Sequence, residues 1–100
     1  MLLHVVNVIK IKLFGSIAND FGSRELPINL ATEPVTLKSI LQILKNKSSY
    51  YFNVYFDEDF SPKRGTIVLI NGVDFNVIDG LETMISSTDQ ITLVPTVSGG

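Results

Sequence analysis

The chain has no cysteine and no tryptophan, a single histidine (His4), and eight lysines and arginines among one hundred residues. Without cysteine there is no disulfide, no side-chain persulfide and no thiolate nucleophile. One histidine and no cysteine also leave no ligand set for a structural zinc site. The eight basic residues are scattered and are outnumbered by ten acidic ones, for a net charge of −2. A phosphate backbone is bound by clustered Lys and Arg, so no direct nucleic-acid partner is expected. Long apolar runs are missing as well. Met1 to Phe14 is rich in apolar residues, but His4, Asn7, Lys10 and Lys12 interrupt it well short of a membrane span, and no signal-type cleavage site follows. The expectation is a cytoplasmic protein with no membrane partner. Its length suits one domain, residues 1–100, with a single core.

What is present is strong periodicity. Ile9, Ile11 and Leu13 alternate with Lys10 and Lys12, the pattern of a strand with one wet face. Gly15 and a short polar stretch to Gly22 break it. Glu25 to Leu30 alternates again, with Leu26, Ile28 and Leu30 on one side, so the two segments read as a hairpin with a longer loop. Pro34 bars helix before it, and Thr36 is placed to N-cap the segment that follows. There Leu37, Ile40, Leu41 and Leu44 fall at i, i+3, i+4 and i+7, one apolar helical stripe. Thr66 to Ile70 is a β-branched and apolar run ending in Asn71-Gly72, a hairpin signal, with Val73 to Phe75 as the return strand. Leu81 to Ile85 is consistent with a helical turn or a loop. Gln90 to Val94 is the last strand, with Ile91 and Leu93 on one face, Thr92 and Val94 on the other, and Pro95 expected to stop the ladder. The order β-β-α-β-β-β, with the first and last strands paired in the middle, predicts an α+β sheet crossed on one face by one main helix.

Three features admit bland readings. His4 has no evident partner and reads as a packed or solvated side chain. Asp57-Glu58-Asp59 could attract a hard cation but lacks calcium-loop spacing and reads as a solvated loop. Six of the nine aromatics (Tyr50, Tyr51, Phe52, Tyr55, Phe56 and Phe60) lie within residues 50–60. Aromatics can stack bases, but Lys63 and Arg64 alone make no electrostatic groove, so a satellite core under the helix end is expected there, with a partner contact as the other reading.

The chain ends on Gly99-Gly100. Glycine lacks Cβ, so such a pair can pass through a slot too narrow for a side chain and present its carboxylate beyond it; a frayed terminus is the competing reading. In this setting the chain resembles a known family. Ile11-Lys-Leu-Phe-Gly-Ser-Ile-Ala, Val35-Thr-Leu-Lys-Ser-Ile-Leu, Leu69-Ile-Asn-Gly-Val-Asp-Phe, Asp79-Gly-Leu-Glu-Thr and Asp89-Gln-Ile-Thr-Leu-Val-Pro-Thr-Val-Ser-Gly-Gly are similar to the ubiquitin-like β-grasp sulfur carriers and small modifiers. That group includes the small subunit of molybdopterin synthase, the archaeal small modifier proteins and the ubiquitin-related modifier. The similarity runs over most of Val8 to Gly100. Met1 to Asn7 precedes the usual start, and Tyr50 to Gly65 is a longer, aromatic-rich insertion.

The resemblance implies a carrier with no catalytic residues of its own and no intrinsic cofactor. An E1-like adenylating enzyme would use ATP and Mg²⁺ to activate the Gly100 carboxylate. Sulfur would then be accepted as a thiocarboxylate, for transfer to molybdopterin or to a transfer RNA base, or the carbonyl would be attacked by lysines of target proteins. The large subunit of molybdopterin synthase is a further implied partner. Gly99, Ser98, Val97 and Thr96 would line a partner's channel, and Val94 and Pro95 would contact its surface. With Pro95 ending the strand, residues 96–100 are expected as a flexible extended tail of about 15 Å. The reading from a different class is a passive β-grasp interaction module with an inert tail. Small-enzyme chemistry is disfavoured by the missing histidine and cysteine constellations.

Overall fold

Alternation of apolar and polar residues dictates the first strand, β1 (Asn7–Leu13), whose Ile9, Ile11 and Leu13 are buried while Val8, Lys10 and Lys12 are exposed. A computed structural model describes residues 7–96. β1 pairs antiparallel with β2 (Glu25–Leu30) and parallel with β7 (Ile91–Pro95), and β7 pairs antiparallel with β4 (Thr66–Ile70). β4 in turn carries the short β5 (Val73–Asp74) across the Asn71-Gly72 turn. Both turn residues have positive φ, 53° and 82°, as a two-residue hairpin loop of primed type requires. The sheet order is β2-β1-β7-β4-β5, with the first and last strands side by side within it. This is the ubiquitin-like β-grasp arrangement.

The apolar stripe forms α2 (Leu37–Lys47), in which Leu37, Ile40, Leu41 and Leu44 are fully buried against the sheet. Thr36 caps it, its Oγ1 accepting the Ser39 N–H at 3.1 Å, and Lys45 and Lys47 sit in the last turn, where cations are favoured by the helix dipole. Three elements depart from the expectation. The polar stretch after β1 folds as a short helix, α1 (Gly15–Phe21), which buries Ile17 and closes on Gly22 in the left-handed conformation. The aromatic insertion opens with another, α3 (Ser49–Tyr55), and its Phe52, Tyr55 and Phe56 belong to the main core rather than to a satellite. Phe52 and Phe56 stack with centroids 4.5 Å apart. The Tyr55 hydroxyl donates to Asp20 Oδ2 at 2.5 Å and ties α3 to α1; burial, then this bond, push its ionisation upward. Finally, Leu81 to Ile85 divides between a 3-10 turn (Gly80–Glu82) and β6 (Met84–Ile85), which pairs with β3 (Val35–Thr36) in a separate two-stranded ladder. No helix among the described residues is long and apolar enough to cross a membrane.

Two measurements check this packing. Leu41→Ala removes a fully buried side chain at the centre of α2 and is expected to cost about 2 to 5 kcal/mol in denaturant unfolding; a near-neutral value would contradict the core assignment. Asp89 locks the hairpin turn to the start of β7. It accepts from Asn71 Nδ2 at 2.9 Å and from the Ser86 N–H at 2.8 Å, and these donors, Asn71 first, hold its carboxyl below the ordinary value. A lowered folded-state value means that the unfolded chain binds the proton more readily. The stabilisation is therefore present above about pH 4 and is lost as pH falls through the folded value. Unfolding free energy should decline with acid in that window, and less steeply in Asp89→Asn. Asp59, held low by the Ser61 N–H, contributes to the slope in both proteins.

Candidate functional site: the root of the C-terminal tail

β7 delivers the chain end from the middle of the sheet. Ile91 and Leu93 are fully buried toward α2, which anchors the strand. On the β1 side, the Phe14 N–H donates to the Leu93 carbonyl at 3.1 Å. On the β4 side, Thr66 lies opposite Pro95, and the Thr96 N–H donates to the Gly65 carbonyl at 2.7 Å, one step further in the same register. Alternate residues of a strand turn their N–H toward a given neighbour. Thr96 is one that faces β4, so Pro95 is not, and its missing N–H costs that ladder nothing. The expectation that Pro95 stops the ladder is thus corrected: Pro95 is a paired residue of β7, and the hold on the chain extends to exposed Thr96. Val97, Ser98, Gly99 and Gly100 lie outside the described residues, as does His4.

Val94 stands where alternation places it, half-buried on the face away from α2. Its cross-strand partner is Ile67, and Leu69 lies opposite Thr92 in the same ladder. The apolar neighbours of Val94 on this face are therefore Ile67 and Leu69, whereas Val68 and Ile70 are buried on the helix side. A uniformly apolar strand carries no alternation, so the sequence of β4 alone does not show which of its residues face this side. Exposed Lys10 and Lys12 of β1 share the face, giving a small apolar centre with a basic border beside the tail root.

The sequence reading missed Phe14. It is 51% exposed, at the end of β1 and the start of α1, and borders an open hollow of about 610 Å³ together with Lys12, Ala18 and Arg24. An aromatic directly after an alternating strand and before glycine was the available signal. Asp57-Glu58-Asp59 forms a tight turn in which Asp59 Oδ1 accepts from the Ser61 N–H at 3.1 Å and the Asp57 N–H donates to the Ser61 carbonyl at 2.8 Å. Among the described residues no cluster of His, Asp or Glu could hold a metal ion.

Comparison with known proteins places this geometry. The family model described as Urm1, ubiquitin-related modifier, matches residues 8–100. The chain belongs to the Urm1 family. Among solved structures, this Urm1-family chain is similar to the small archaeal modifier protein SAMP1 of Methanosarcina acetivorans, at 28% identity and TM-score 0.75, over 97% of this chain and 100% of that one. It is similar to SAMP1 of Haloferax volcanii at 26% identity and TM-score 0.76, over 93% and 99% of the two chains. A chain of the Amycolatopsis orientalis BexX/CysO complex shares the fold at 18% identity and TM-score 0.69, covering 92% of this chain and 99% of that one. No curated protein sequence matches.

The Val94 face gives a separable prediction. Val94→Asp puts a charge on a half-exposed position outside the core, so the melting temperature should change little. Binding to a partner that covers this face should weaken, because a carboxylate would be desolvated in its apolar centre. Unchanged affinity in a titration with a cognate activating enzyme, with the fold intact, would remove Val94 from the interface.

Proposed function

We propose that this Urm1-family protein is a ubiquitin-like carrier and modifier that works through the carboxylate of Gly100. The observation that supports the reading is the family match, which spans the sheet and includes Gly99 and Gly100. SAMP1 is named as a modifier, and the similarity to it covers almost the whole of both chains.

The chemistry asks little of the carrier's side chains. A carboxylate is a poor electrophile because its leaving group would be an oxide. In the proposed reaction a carboxylate oxygen of Gly100 attacks the α-phosphorus of ATP, held with Mg²⁺ by an E1-like adenylating enzyme, and pyrophosphate leaves. The resulting mixed anhydride carries a good leaving group. The outer sulfur of a persulfide on a partner then forms a C–S bond at that carbonyl as AMP departs, and a second thiol of the partner attacks the inner sulfur of the resulting acyl disulfide, so that the thiocarboxylate leaves and a disulfide remains on the partner. Alternatively a lysine amine of a target protein attacks, AMP departs, a proton is lost and an isopeptide bond remains. The thiocarboxylate sulfur is suited to a pterin precursor or to a transfer RNA base, the large subunit of molybdopterin synthase being one candidate partner for the first. The nucleophiles and the ATP site belong to the partners. This chain contributes a terminal carbonyl, a slim tail of Val97, Ser98, Gly99 and Gly100 rooted at Thr96, and the docking face around Val94 and Pro95.

ATP-dependent pyrophosphate exchange with the activating enzyme of the same organism tests the reading. Deleting Gly100 should abolish exchange, and Gly99→Val should obstruct it by placing a branched side chain in the slot, while both melting curves stay at the wild-type position. Full exchange by the Gly100 deletion would refute the proposal.

A further inference from the structure

Position 15 is glycine for two independent reasons. Its φ is +56°, and a β-carbon there would lie 2.8 Å from Pro95 Cγ and 3.6 Å from Cδ, the first closer than packed carbons approach. On the opposite flank of β7, Gly65 has φ +92°; its carbonyl accepts the Thr96 N–H, and a β-carbon on it would meet Thr96 Oγ1 at 3.4 Å. Gly15 follows β1 and opens α1, whereas Gly65 immediately precedes β4. Two residues without side chains, one just beyond β1 and one just ahead of β4, the strands on either side of β7, thus close on the two residues that follow Val94.

This grip has no evident role in the core. The last fully buried residue of β7 is Leu93; Pro95 is half-buried and Thr96 exposed. Ordering backbone beyond the last buried side chain costs conformational entropy and gains little apolar burial. We propose that Gly15 and Gly65 form a collar that fixes the direction in which the chain leaves the sheet, and that they are positioning residues for delivery of the C-terminus to the adenylating enzyme. The delivery role rests on the carrier reading above. Four residues beyond Thr96 span at most about 14 Å, so a swivelling root would spread Gly100 over a wide shell, and only the fraction of carriers whose tail points into the partner's slot could dock at the Val94 face. A reduced competent fraction weakens apparent affinity in proportion and leaves the chemistry of the aligned complex unchanged.

The test is pyrophosphate exchange at saturating ATP with the carrier varied, combined with amide hydrogen exchange at Thr96 in the isolated protein. Gly15→Ala should raise KM about tenfold with kcat within about twofold, and should lose Thr96 amide protection while unfolding cooperatively. Adding Pro95→Ala, which withdraws the ring carbons that the new methyl group meets, should recover Thr96 protection in the isolated protein, a readout that does not depend on the place of Pro95 in the docking face. A folded double variant in which Thr96 stays unprotected would count against the collar. If Gly15→Ala does not fold, Gly65→Ala carries the same expectation, its strain being confined to the φ of one residue ahead of β4. A folded variant with wild-type KM and wild-type Thr96 protection overturns the collar. Wild-type protein that supports no exchange overturns the carrier reading and the delivery role with it. The grip itself is then upheld by loss of Thr96 protection in Gly15→Ala and overturned by its retention.

Discussion

The parallel pairing of β1 with β7 is the interaction on which the rest of the structure depends. Ile11 opposite Ile91 and Leu13 opposite Leu93 join the beginning of the chain to its end in the middle of the sheet. Parallel neighbours cannot be joined by a tight turn, so the intervening chain must cross over the sheet. It does so with α2, whose Leu37, Ile40, Leu41 and Leu44 cover the same face that Ile91 and Leu93 present. Because the two strands run the same way, their C-terminal ends meet at one pole. Phe14 and Gly15, which follow β1, therefore stand beside Pro95, where the chain leaves β7.

That topology suits a protein whose reactive group is proposed to be its own terminus. The side-chain inventory offers no thiol to compete for sulfur and one histidine. Selectivity must then come from a surface that docks and from a terminus that reaches a fixed distance from it. Val94, with Ile67 and Leu69, lies on the same strand pair that supports the tail root. The proposed docking surface and the root are parts of one sheet, whose central strand is secured by buried Ile91 and Leu93.

Legibility from sequence followed physical signal strength. β1, β2 and β7 alternate cleanly because each has one wet face, and α2 carries four leucine and isoleucine residues at helical spacing behind a Thr36 cap. Asn71-Gly72 specified its turn through the left-handed conformation of both residues. α1 was hidden because seven residues with a single buried side chain, Ile17, make little periodic signal, although Gly22 just past its end was a usable stop mark. α3 was hidden for the opposite reason. Its aromatics are so dense that burial of Phe52 and Tyr55 is not separated by pattern from exposure of Tyr50. Of the candidate site, the end of β7 was legible from its alternation, while residues 97–100 lie outside the described residues. The approach of Gly15 to Pro95 was not legible, since the two residues are eighty positions apart and meet only through the β1–β7 pairing.

The carrier reading is tested most directly by the intact mass of the full-length protein isolated from its native cells, with and without its activating enzyme. The account predicts a species heavier than the unmodified chain by the difference between one sulfur and one oxygen atom, or lysine-linked conjugates ending in Gly100, either of them dependent on that enzyme. Protein recovered solely with a free Gly100 carboxylate, and no conjugates under conditions where the activating enzyme is present and active, would contradict it.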